Sequence, residues 1–200
     1  MTKRKVLVQG KKTLYTFAYL RSISWACHKR AKESIKGRNL FISSSMVFVA
    51  FSIEAYLNHL GSNVTDFWDS IERKLSSREK LDLLSSILKI KIDYGSRPFQ
   101  TFINMFAFRN ALAHGRTEIL SAESIQLLSN EDMPSLPKTS WEESITLETA
   151  TRYLEDGKAI VLHLNSKAKL DSDLLWTPET AEWEIIPLDP NGIIVDESGT

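Results

Sequence analysis

Arg109, Asn110 and His114 are the residues of this 200-residue chain whose types and spacing best suit chemistry. They lie in Phe106-Ala107-Phe108-Arg109-Asn110-Ala111-Leu112-Ala113-His114-Gly115, near the end of a segment that reads as an amphipathic helix. Arg supplies a forked donor set that matches phosphate oxygens. His114 falls in the last turn, where the helix dipole favours an imidazolium. Asn110 and His114 are four apart and share a face, while Arg109 lies about 140° round from His114. Two cations so close repel each other, and a nearby phosphate or carboxylate relieves the repulsion. Glu54 is the internal carboxylate, set in Phe51-Ser52-Ile53-Glu54-Ala55-Tyr56. Left unpaired there it is costly, so it needs a cation or loses its charge. Arg109, His114 and Arg97 are its candidate partners, with Asn58 a polar neighbour one turn on. The structural alternative is a Glu–Arg pair that locks two helices together.

The elements that must position these residues read as mostly helical. Residues 12–36 hold Leu14, Phe17, Ala18, Leu20, Trp25, Ala26 and Ala31 at helical spacing, with Lys29, Lys32 and Lys36 on a polar side and Gly37 as a stop. Residues 39–60 are apolar nearly all round and predict the central helix of a bundle, broken at Gly61-Ser62-Asn63. Thr65 or Asp66 starts a short helix to about Leu75, and Ser77, Lys80, Leu81, Leu84 and Leu88 mark another to about Ile92. A turn-rich stretch, 93–98, leads into the Arg109 helix, which starts near Pro98 and ends at His114. Gly115 is expected as a left-handed cap. Ser121–Ser140, with Asn130-Glu131-Asp132, Pro134 and Pro137, reads as a long excursion, and helical spacing returns from Leu147 to about Ala168. Trp183–Pro187 and Gly192–Val195 suit short strands around Asp189-Pro190-Asn191-Gly192, forming either a hairpin or an acidic arm that binds elsewhere. The expected division is residues 1–168, a helical bundle, and residues 169–200, an acidic extension.

Composition is that of an ordinary globular protein, 42% hydrophobic and 25% charged. One cysteine, Cys27, excludes an internal disulfide and fits a cytoplasmic setting. No signal peptide is evident, and Met46–Leu60, interrupted by Glu54 and Asn58, reads as too short for a bilayer. His28, His59 and His163 are isolated and read as surface or packing residues, so no metal and no cofactor is expected. A net charge of zero hides a gradient. Residues 1–40 carry eleven Lys/Arg against one acid, residues 41–116 nine against seven, and residues 117–200 five against seventeen. That asymmetry suits a basic face for nucleic acid, or a solvated basic helix neutralised by the tail.

Arg109-Asn110-x3-His114, with a polar residue directly after the Arg, resembles the R-x4–6-H motif of the HEPN superfamily (higher eukaryotes and prokaryotes nucleotide-binding). The context is similar too: Ser44-Ser45-Met46 and Glu54-Ala55-Tyr56-Leu57-Asn58 on an early helix, Glu79-Lys80-Leu81 on a middle one, and Arg97-Pro98-Phe99 before the motif. The likeness spans roughly residues 15–165 and leaves 170–200 unmatched. It implies an all-α bundle of four or five helices, a homodimer with a composite cleft, and metal-independent endoribonuclease activity on RNA, as in toxins and phage-defence proteins. Arg109 would bind the scissile phosphate, His114 would assist proton transfer, Asn110 would orient one of them, and Glu54 with Asn58 would support. Arg97, Arg116, Lys29, Lys32 and Lys36 are the candidate RNA contacts. An antitoxin protein is a possible partner, but toxins of this family silenced by nucleotidylation carry a tyrosine two residues after the motif histidine, and Arg116 stands there, so silencing by that chemistry is not expected. The alternative is a non-catalytic module of the same kind that binds a nucleotide, RNA or a protein. A third reading is a helical interaction protein whose Arg and His only stabilise the bundle, and it gains if Arg109 bonds Glu54 within one subunit.

Overall fold

The computed structural model describes residues 4–129, 134–173, 175–188, 191, 193 and 194. The chain is mostly helical, about 55%, with one small sheet. Strand β1 (Val6–Leu14) leads into α1 (Thr16–Glu33), α2 (Arg38–Val64), α3 (Trp68–Ile71), α4 (Ser77–Ile87), α5 (Phe99–Ala113), α6 (Ser140–Glu143) and α7 (Leu147–Ala168), and β2 (Glu179–Pro187) returns antiparallel to β1. The all-α expectation therefore needs correcting. Residues 6–14 form a strand that takes in residues 12–14 of the helix expected over 12–36, and the partner of Trp183–Pro187 is this N-terminal strand. Beyond β2, Leu188 forms a single antiparallel bridge with Ile194. Asp189, Pro190, Gly192 and Val195, part of the expected turn and second strand, lie outside the described residues, as do Asn130, Glu131 and Asp132.

Helix α2 is the centre of the bundle and touches α1, α3, α4, α5 and α7. It runs 27 residues, and its most apolar window has a mean hydropathy of 1.7 and is half buried. The length argument against a membrane span thus fails: by length and composition alone α2 could cross one. Here it packs against other helices. Met46, Ile53, Tyr56, Leu57 and Leu60 are fully buried on it, each such side chain contributing about 1.5–3 kcal/mol. Gly61 does not break the helix. A Cβ there would sit 2.0 Å from the Trp68 ring, so the missing side chain is the socket into which α3 inserts its tryptophan. The reversal between α1 and α2 instead uses Gly37, at φ 73°.

The buried stripe of α1 is Phe17, Ala18, Ser24, His28 and Ala31, whereas Trp25 and Ala26 face outward. Two polar members of that stripe are satisfied by hydrogen bonds. Ser24 Oγ donates to the Ser45 carbonyl at 2.7 Å. The Thr151 hydroxyl donates to the Leu147 carbonyl, so it accepts from His28 Nε2–H at 2.8 Å, which fixes the tautomer. Burial, then Lys32, holds His28 below the usual imidazole range against the opposing pull of Glu155. The segment after α7 is fastened to the bundle. Leu175 is buried, Tyr15 N–H donates to the Pro178 carbonyl, and the Arg21 guanidinium lies 4.3 Å from the Trp176 ring centre. The expected boundary at 168/169 marks the end of α7, but the C-terminal segment beyond it is joined to β1 and α1.

Candidate functional site

Phe102, Met105 and Phe106 form the buried stripe of α5, and Arg109 is its next position by helical spacing. The stripe carries the guanidinium toward α2 and α4. Arg109 Nη2 donates to Glu54 Oε2 at 2.7 Å and to Ser77 Oγ at 3.2 Å. Lys80 Nζ approaches the other carboxylate oxygen, Oε1, at 3.5 Å. The guanidinium carbon lies 5.3 Å from the Phe106 ring centre and 5.9 Å from that of Phe51, a cation–π setting. Arg109 Nε is enclosed without a partner. Nη1 makes no hydrogen bond among the described residues and is not enclosed. Two cations share one carboxylate here, so the cluster keeps an excess positive charge.

The residues expected around Arg109 separate into groups. Glu54 finds its cation as the sequence required, and it is half-buried rather than sealed. Asn58 does not support it: its Oδ1 is enclosed and has no partner. Asn110 and His114 are exposed, and neither makes a side-chain hydrogen bond to Arg109 or Glu54. His114 is the residue that caps α5, its N–H donating to the Asn110 carbonyl at 2.9 Å. Gly115 is not left-handed. A Cβ there would meet the Ala111 carbonyl oxygen at 2.9 Å, so close backbone approach explains the glycine. Arg116 is exposed and lines a recess with Gly115, Leu112 and Trp141.

Arg97 is not Glu54's partner, and its side chain, though more than half exposed, is engaged within the chain. Its Nε and Nη2 grip both oxygens of Asp156 on α7 at 2.8 Å each, and the Thr101 hydroxyl donates to the same carboxylate. Burial pushes the Asp156 carboxyl up, but the bonds from Arg97 and Thr101 outweigh it and hold the group below its usual range. Lys29, Lys32 and Lys36 are exposed, with Lys29 loosely paired to Glu33 at 3.9 Å. The other histidines pack: His28 on Thr151, His59 against Phe17 and Tyr56, His163 beside Phe99. Among the described residues no group of three His, Cys, Asp or Glu side chains converges.

Lys80 and Ser77 belong to the Arg109 cluster and are absent from the candidate site residues drawn from the sequence. A signal for Lys80 was present, since it falls on the apolar face of α4 between Ser77, Leu81 and Leu84, where a lysine must find a partner. Asp156 gave a similar signal on the inner face of α7. No protein-family model, curated protein sequence or solved structure matches this chain.

Proposed function

We propose that this chain is a metal-independent endoribonuclease of the HEPN type, a cytoplasmic homodimer of four-to-five-helix bundles serving as a toxin or phage-defence component. The observation that supports it is the open end of α5. Asn110, His114 and Arg116 stand exposed just beyond an Arg109 that Glu54 and Ser77 hold in place and that keeps Nη1 free. Arg109 and His114 diverge within one chain, so the reading requires two α5 ends to meet, with the Arg of one protomer facing the His of its partner. There the ribose 2′-hydroxyl attacks the adjacent phosphorus, the P–O5′ bond breaks, and a 2′,3′-cyclic phosphate and a 5′-hydroxyl result. His114 relays the proton from the 2′-oxygen toward the leaving oxygen. Arg109, aided by the excess charge from Lys80, steadies the charge on the phosphoryl oxygens.

One observation favours another reading, a non-catalytic helical interaction module whose Arg and His only stabilise the bundle. Both hydrogen bonds of Arg109 run to α2 and α4 of its own chain, the arrangement of a structural lock. Incubating the purified protein with total RNA in EDTA separates the two. Cleavage leaving cyclic phosphate ends is expected from the wild type and is lost in His114→Ala and Arg109→Lys, both checked by circular dichroism. No cleavage, or equal cleavage by all three, supports the module.

A further inference from the structure

A solvent-open cleft of about 500 Å³, hereafter the cavity, lies between α5, α6 and α7, within the range of about 300–1,000 Å³ common to small-molecule sites. Asn104, Phe108 and Ala111, one stripe of α5, form one wall, Trp141 of α6 another, and Arg152 and Tyr153 of α7 a third. Tyr153 lines the cavity at 2% exposure, and its hydroxyl has no hydrogen-bond partner among the described residues. Burial raises its pKa to about 12, so at neutral pH it stays protonated and can donate. Arg152 beside it has no ion pair among the described residues. The Asp156 carboxylate, one turn on and within reach of the Arg152 charge, is already gripped on both oxygens by Arg97 and bonded by Thr101.

We infer that this cavity binds a small molecule carrying one anionic group on a flat ring, the anion held by Arg152 and the Tyr153 hydroxyl and the ring laid against Trp141. Arg152 and the Tyr153 hydroxyl, the polar groups of the α7 wall without a hydrogen-bond partner among the described residues, favour an acceptor of negative charge, and Thr149 is the other polar side chain of that wall. The Phe108, Ala111 and Trp141 walls offer flat apolar surface. Glu143 of α6, which also lines the cavity, disfavours a second anionic group. The inference does not rest on RNA cleavage, since none of these side chains belongs to the Arg109–His114 set.

The test uses the full chain with labelled indole nitrogens. One arm titrates nucleoside 5′-monophosphates, the other benzoate and indole-3-acetate, followed by calorimetry and by the Trp141 indole N–H signal, assigned with Trp141→Phe. Binding with Kd about 1 mM or tighter is expected in at least one arm, with the Trp141 signal shifting. Arg152→Gln and Tyr153→Phe should each weaken it about tenfold, as expected for losing one hydrogen bond to a charged group. Tyr153→Phe keeps the packed ring, so its loss of binding reads the hydroxyl alone. The responding arm tells whether the anion is phosphate or carboxylate. Silence in both arms at about 10 mM, or binding that neither variant weakens, overturns the inference.

Discussion

Glu54 shows how far a single residue can be read. A carboxylate in an apolar helix demands a cation, and Arg109 supplies it at 2.7 Å. That much comes from the residue types. The second cation does not, because Lys80 reaches Glu54 only through the packing of α4 on α2. Arg97 is an equally good candidate on residue type, but α7 brings Asp156 to it from 59 positions away. Glu54→Ala therefore leaves a buried Lys80 and a partly buried Arg109 facing each other and should cost about 1–3 kcal/mol. Adding Lys80→Met should restore part of the loss in urea unfolding, and no recovery would mean that Lys80 and Glu54 are not coupled. His28 makes a prediction in pH. Its folded pKa lies below the unfolded value of about 6.5 because burial and Lys32 disfavour the charged ring. The unfolded chain then binds the extra proton, so the contribution is complete above about pH 6.5 and is lost as pH falls below it. Between pH 7.5 and 5.5 the wild type should lose more stability than His28→Gln, with His59, also lowered by burial, cancelling in the difference.

At the scale of elements, the long helices are legible because their apolar spacing is sustained. Helix α7 occupies Leu147–Ala168, the span that the spacing marks out. Strand β1 is not legible. Val6–Leu14 is exposed along almost its whole length, so neither face carries the two-residue alternation that marks a half-buried strand. Its partner lies at the other end of the chain, and nothing local names it. Two-stranded ribbons of this kind are marginal by themselves, and this one is fastened where Leu175 enters the core. Gly61 misleads for a related reason: a glycine after an apolar run looks like a stop, and only the arrival of Trp68 reveals a socket. Replacing a helical glycine by alanine ordinarily stabilises by about 0.5–1 kcal/mol. Here the sign should reverse. Gly61→Ala should destabilise by about 1–3 kcal/mol through overpacking, whereas Gly157→Ala, whose Cβ would meet Val49 and Ile53 at 3.1 Å, should cost less. Denaturant midpoints of the two variants, side by side, decide it. Equal midpoints would mean that Trp68 does not occupy the Gly61 notch.

The whole molecule distributes its charge in a way that composition alone leaves open. The acidic tail does meet the basic N-terminus, but strand to strand. Lys11 lies opposite Glu182 in the β1–β2 register, and Lys12 pairs with Glu179. The neutralisation thus falls on β1 and leaves the exposed lysines of α1 and the adjoining turn, Lys29, Lys32 and Lys36, largely unanswered. Of the three, Lys29 is the one with an ion pair among the described residues, to Glu33 at 3.9 Å, and such exposed pairs contribute little. A polyanion meeting this face would displace counterions from itself, and for a single strand each phosphate neutralised contributes about 0.7 to the slope of log affinity against log salt. Changing Lys29, Lys32 and Lys36 together to glutamine should therefore make the slope for single-stranded RNA shallower by up to about 2. The fold should be unaffected, since all three side chains are exposed. His114→Ala, which is expected to block cleavage if the proposed function holds, should leave this slope nearly unchanged, because it removes one side chain, the proposed proton relay, rather than a row of fixed charges. An unaltered slope in the triple variant would place the RNA on another surface and confine the role of these lysines to solubility.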